Sequence, residues 1–100
     1  MSEGVEIRSF YDLTYEEDRE ELANLIKQGV KLDTTITAPE DLSEVKQAAE
    51  DLVKRMGAEL IEVDHSQWPK KLVIKFRLQG QEKKLVLTKI EEGAYRPSLE

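Results

Sequence analysis

The side chains most capable of chemistry gather in one short stretch, DHSQWPKK, residues 64–71, which holds the chain's only histidine, His65, and its only tryptophan, Trp68. Asp, His and Ser are the residue types of a nucleophilic triad, in which an imidazole deprotonates a hydroxyl and a carboxylate orients the imidazole. The spacing argues against that use. Neighbours on a strand point to opposite faces, so Asp64 cannot orient His65 from the adjacent position. Alternation puts His65 on the core side, where it caps the edge of the core or turns to solvent near a turn. Ser66 to Lys70 then read as a connection between two strands, with Trp68-Pro69 as an aromatic plug over the core edge. A Trp68 facing solvent beside Lys70 and Lys71 would instead be a stacking platform for a nucleic-acid base or a protein hot spot.

No other chemistry has its residues in place. With no cysteine in the chain, disulfides, thiol catalysis and cysteine-ligated zinc are excluded, and a single histidine falls short of a zinc ligand set. The acidic residues lack calcium-loop spacing, and the densest group, Glu16, Glu17, Asp18, Glu20 and Glu21, spreads around a helix as a solvated face. The five glycines stand singly, so no phosphate-cradling loop exists. No catalytic, metal-binding or cofactor-binding residue is assigned, and no cofactor is expected.

Charge is unevenly distributed. The chain carries a net −6, but residues 1–68 carry −10 while residues 69–90 carry +6. Trp68, Lys70, Lys71, Lys75, Arg77 and Lys84 therefore form the candidate binding surface, directed at nucleic acid or an acidic protein surface. The bland reading of the same lysines is decoration that keeps exposed strands soluble.

The elements that must position these residues follow from periodicity. GVEIRSFY (4–11) alternates as a first strand through Val5 and Ile7. A helix follows, with Thr14 as N-cap, Glu17 completing a capping box, Leu22, Leu25 and Ile26 as its buried stripe, and Gly29 ending it. Residues 30–38 place Val30, Leu32, Thr34 and Ile36 on one face of a second strand. Pro39 suits the first turn of a second helix, whose Leu42, Val45, Ala48, Ala49, Leu52, Val53 and Met56 keep 3–4 spacing up to Gly57.

Three alternating strands close the pattern: AELIEVDH, KLVIKFRL and KKLVLTKI. Their registers bring Ile61, Val63 and His65 opposite Phe76, Ile74 and Leu72, and Glu62 opposite Lys75. A tight turn at Gln79-Gly80 sets Ile74 opposite Leu85, Leu72 opposite Leu87 and Arg77 opposite Glu82. The outer face carries Glu62, Lys75 and Lys84 in a row beside Val73 and Val86. The order β-α-β-α-β-β-β predicts an α/β (α+β) two-layer sandwich, with two helices on one face of a mixed sheet of four or five strands. Residues 1–93 read as one domain and 94–100 as a frayed tail, with Leu99-Glu100 as a vector remnant.

The segment VEIRSFYDLTYEEDREELANLIKQGVKLDTTIT, with its EI strand, helix and VKLDTTIT-type strand, resembles the C-terminal domain of bacterial translation initiation factor three. The helix-Gly-strand-helix-hairpin layout resembles Alba-type chromatin proteins. APEDLSEVKQAAEDLVKRMGAELIEVDHSQWPKKLVIKF is similar to the second half of small sulfur-carrier proteins. The Cys-Pro-x-Pro motif of the sulfur carriers is absent here, and the strong basicity of the nucleic-acid-binding families is replaced by acidic helices. The resemblances imply a topology and no activity.

Capped helices, glycine terminators and opposed cross-strand charges follow design rules almost throughout. They raise the expectation of an engineered or de novo designed scaffold: non-enzymatic, monomeric, without a membrane segment, and cytoplasmic or obtained by soluble recombinant expression. The alternative is a small natural binding module that uses the basic 69–90 hairpin.

Overall fold

The computed structural model describes residues 6–100. Its elements are β1 (Phe10–Asp12), α1 (Glu16–Lys27), β2 (Thr35–Thr37), α2 (Leu42–Arg55), β3 (Glu59–Asp64), β4 (Lys71–Leu78), β5 (Gln81–Glu91) and β6 (Ala94–Leu99). They make a compact α+β domain in which two helices pack against one mixed six-stranded sheet of order β1-β2-β6-β5-β4-β3. The β1–β2 pair is parallel and every other pair is antiparallel.

The second helix follows its sequence signal closely. Val45, Ala48, Ala49, Leu52 and Val53 are its buried stripe, and fully burying a Val or Leu side chain stabilises by ~1.5–3 kcal/mol. The helix starts at Leu42, three residues beyond Pro39, because the Asp41 carboxylate accepts the Ser43 N–H at 3.0 Å and acts as N-cap. Gly57 at φ +69° takes the left-handed conformation that turns the chain directly into β3.

The first helix begins differently from expectation. Its N-cap position is Tyr15, with no side-chain cap, and the Thr14–Glu17 capping box does not form. The Thr14 N–H and hydroxyl both donate to Asp12 Oδ1, at 3.0 and 2.9 Å. An Asx turn at Asp12 has captured the hydroxyl that would have capped the helix. Asp18, from the first turn, reaches back and accepts the Asp12 N–H at 2.7 Å.

The first two strands are shorter than their alternation. The sequence-based start of the first strand, Gly4-Val5, lies outside the described residues. Val30 to Thr34 keep the expected in-out burial, yet only Thr35–Thr37 join the ladder. Their neighbour on one side is three-residue β1, and the β2–β6 ladder covers only Ala94 and Tyr95. Beyond it, residues 29–32 and 97–99 line a cavity of about 350 Å³. Pro97 has no N–H to extend a ladder there.

The largest correction concerns the end of the chain. Residues 94–99, expected as a frayed tail, form β6, and the strand count is six in place of four or five. β6 lies between β2 and β5, with Tyr95 opposite Ile36 on one side and Lys89 on the other. Its Leu99 sits opposite Leu85 and packs on the core. This last strand joins the parallel β1–β2 pair to the β3–β5 meander, so the sheet is continuous only once it is in place.

In the meander the expected β4–β5 register is present: Ile74 faces Leu85, Leu72 faces Leu87 and Arg77 faces Glu82. Gln79 and Gly80, at φ +52° and +80°, make the tight turn, and positive φ at both positions suits the strand twist. The β3 register is corrected at one end. Glu62 opposes Lys75 and Val63 opposes Ile74, but a bulge at Ile61 puts Leu60 opposite Phe76. The strand ends at Asp64, so His65 does not pair with Leu72 and is exposed.

Candidate functional site

Residues 65–70 are the connection between the end of β3 at Asp64 and the start of β4 at Lys71, and they are stitched by their own backbone. The Ser66 N–H donates to Asp64 Oδ1 at 3.0 Å, and the Trp68 N–H donates to the His65 carbonyl at 3.1 Å. The Lys70 and Lys71 N–H groups both reach the Gln67 carbonyl, and the Lys89 N–H donates to the Lys70 carbonyl at 2.9 Å, tying the connection to β5. The Ser66 backbone N–H, more than any other group, holds the Asp64 carboxyl below the usual carboxylate range. Asp64 is thus a turn-former whose acceptor faces Ser66, while His65 is exposed.

Trp68 is half-buried and stacks on Tyr95, ring centroids 5.5 Å apart and planes 15° from parallel. Stacking of this kind is worth ~0.5–1.5 kcal/mol beyond the area buried. Tyr95 is itself 2% exposed, and burial, ahead of the nearby Glu92 and Glu40 charges, pushes its phenol up. Trp68 therefore lids the helix-side core at the place where the last strand enters the sheet.

The cations of the candidate surface lie elsewhere. Lys71, Lys75 and Arg77 alternate with buried Leu72, Ile74 and Phe76 along β4, which puts them on the outer face of the sheet, away from the helices. Lys84 stands opposite Lys75 on that same face. Lys70 lies in the connection. Four of the six residues are thus brought together on the outer face, and Trp68 is not among them.

Two of these cations are already engaged. Lys75 meets Glu62 at 3.4 Å, and Arg77 meets both Glu59 and Glu82 at 3.2 Å. Lys70, Lys71 and Lys84 have no ion pair among the described residues. Val86, opposite Val73, is 5% exposed although it lies outside the main core cluster.

Three polar clusters carry more geometry than the sequence suggested. Arg8 pairs with buried Asp18, meets Glu21 at 3.2 Å and lies 4.4 Å over the Tyr11 ring. Asp51 accepts Arg55 Nε at 2.6 Å and Arg19 Nε at 2.7 Å, and Arg55 continues to Glu16 and Glu20 at 2.8 Å each, so one network ties α1 to α2. Arg55, then Arg19, holds the Asp51 carboxyl below its usual range despite partial burial. Glu40 hydrogen-bonds Glu92 beside Lys89, and this contact pushes the Glu40 carboxyl up. Glu40, Trp68, Pro69, Lys89, Glu92 and Tyr95 line a cavity of about 210 Å³. Asp51 and Arg55, at i,i+4 on one helix, are legible as a pair in the sequence. Their contact with Arg19 and the meeting of Glu40 with Glu92 have no local signal. Among the described residues, no group of three or more His, Asp or Glu is placed to hold a metal ion.

No protein-family model, curated protein or solved structure matches the chain. No described helix is long and apolar enough to cross a membrane.

Proposed function

We propose that the chain is a non-enzymatic α/β scaffold of engineered or de novo designed origin, a monomer of the cytoplasm or of soluble recombinant expression, whose product is its fold. The carrying observation is the agreement between residue choice and backbone demand. Among the described residues, glycine occurs only at positive φ, at the two helix ends and in the β4–β5 and β5–β6 turns. At none of the four does a close neighbour crowd the place of a Cβ. Glycine here serves the chain's own geometry at four of the five positive-φ positions, Gln79 being the fifth, and agreement of this kind is what idealised sequences contain.

The polar groups support the same reading. Carboxylates with a lowered pKa belong to a turn (Asp64), an interhelical tie (Asp51) or a contact between connections (Glu92). Structural networks perturb pKa as readily as catalytic ones do. The topological likeness to the C-terminal domain of translation initiation factor three belongs to this reading as a likeness of element order, without its activity.

Idealised backbones are typically hyperstable. The scaffold reading therefore expects reversible two-state unfolding with a guanidinium midpoint above ~5 M or a Tm above ~90 °C. An ordinary midpoint near 2–3 M, or refolding that fails without assistance, would overturn it. The binding-module reading is favoured by one observation: Lys71 and Lys84 share the outer face with no ion pair among the described residues. A salt titration against single-stranded RNA decides it, since phosphate contacts must weaken with rising salt.

A further inference from the structure

β3 is the outer strand of the sheet, six residues and about 20 Å long, with one edge paired to β4 and the other facing outward. The opposite edge strand, β1, has only three residues. Beside β3 runs α2, and between them lies a groove of about 420 Å³. Val53, Ala58 and Leu60 supply its apolar surface, and Gln47, Glu50 and Lys54 rise along the helix side. Leu60 is 36% and Ile61 43% exposed, so the strand offers apolar groups next to unpaired backbone. A groove between a helix and a free strand edge is the geometry of strand addition, in which backbone bonds give affinity and alternate side-chain pockets give specificity.

Charge decides the occupant. Glu59, Glu62 and Asp64 stand along β3 and Glu50 lies across the groove beside Asp51, which Arg19 and Arg55 already engage, and among the described residues Lys54 is the one cation lining it. Glu59 and Glu62 lean toward Arg77 and Lys75 yet remain 71% and 55% exposed. A second copy pairing β3 against β3 would bring these carboxylates together, and like charges directly opposite are destabilising. A strand bearing cations would meet complementary charge at the same positions.

We infer that the β3 edge and the α2 groove form a docking site for an extended peptide with alternating basic residues and an apolar side chain that enters the groove at Leu60. This goes beyond the scaffold reading and does not depend on the chain's origin.

The test uses the full chain and a blocked peptide, acetyl-Lys-Val-Lys-Leu-Lys-Val-Lys-amide, followed by amide NMR at 50 mM salt. The expected result is saturable shifts confined to residues 47–64, at least tenfold slower hydrogen exchange of outward-facing β3 amides, and weakening with salt. Glu62→Lys should weaken binding by about fivefold, as expected for one cross-strand charge pair reversed, and Leu60→Gln should weaken it independently. A peptide with the same side chains but alternate N-methylated residues cannot complete the ladder and should not bind. Shifts centred on Glu16–Glu21 would overturn the proposal, because they would mean plain attraction to acidic residues. So would equal binding of the N-methylated peptide, absence of binding at millimolar peptide, or a dimer held through β3 in sedimentation.

Discussion

Replacing Asp18 by alanine should cost the fold about 2–3 kcal/mol, most of it through one backbone bond. The Asp18 side chain is 9% exposed and accepts the Asp12 N–H at 2.7 Å while pairing with Arg8. A hydrogen bond to a charged group contributes ~1.5–3 kcal/mol, and its loss leaves the Asp12 N–H without that acceptor. The Arg8 contact adds less, because Arg8 is 49% exposed and keeps Glu21 within 3.2 Å. Asp18→Asn retains an oxygen for the Asp12 N–H and should cost about 1 kcal/mol. Arg8→Met should cost less than Asp18→Ala. For a domain of this size the alanine variant should melt roughly 10–20 °C lower. Guanidinium denaturation at neutral pH, with an unchanged slope, gives the three values directly. Equal losses for Asp18→Asn and Asp18→Ala would refute the assignment to the backbone bond, as would an Arg8→Met loss matching Asp18→Ala.

Deleting residues 94–100 should abolish cooperative unfolding in circular dichroism, whereas a frayed tail could be removed with little effect. Tyr95→Ala should cost about 3–5 kcal/mol, the usual range for a buried large aromatic, and should also unstack Trp68, visible as a change in its fluorescence. Asp51→Asn should cost about 1 kcal/mol at neutral pH, modest because the carboxylate is 33% exposed. Its folded pKa lies below the ordinary 3.8, so this stability is present above that value and disappears as pH falls through the folded pKa. The wild-type and variant denaturation curves should therefore converge in acid. Glu40 has the opposite sign: its folded pKa is raised by the Glu92 contact, so its contribution is present in acid and lost as pH rises. Glu40→Gln should raise the Tm at pH 7 and leave it unchanged near pH 4. Gln79→Asn, at φ +52°, should stabilise by a few tenths to about 1 kcal/mol, since asparagine tolerates that conformation better.

The pattern of local agreements bears on how the fold arises. The second helix and the β4–β5 hairpin each hold their own instructions: 3–4 spacing with a glycine stop, and alternation around a two-residue turn. Neither depends on a distant neighbour for its register. The β3 edge, at the margin of the sheet, is where alternation first slipped, since a bulge there can shift Ile61 without disturbing a strand on its other side.

By itself the sequence determined the two-layer α+β class, the buried stripe of α2, the β4–β5 register, and the reading of Ser66–Lys70 as a connection between two strands. It also set the asymmetric charge that puts a basic hairpin on an acidic body. Tertiary structure alone decided three things. It made the last residues a central strand, because the partners of Tyr95 are Ile36 and Lys89 and no local signal marks a segment containing Pro97 as a place to pair. It turned Trp68 toward Tyr95 and away from the lysines of the outer face. It gave Asp12, and not Thr14, the task of shaping the start of α1, since a carboxylate on the preceding strand outcompeted a local hydroxyl cap. In each case the deciding partner is remote in sequence or belongs to another element, and periodicity reports only which face a residue occupies, never what it will meet there.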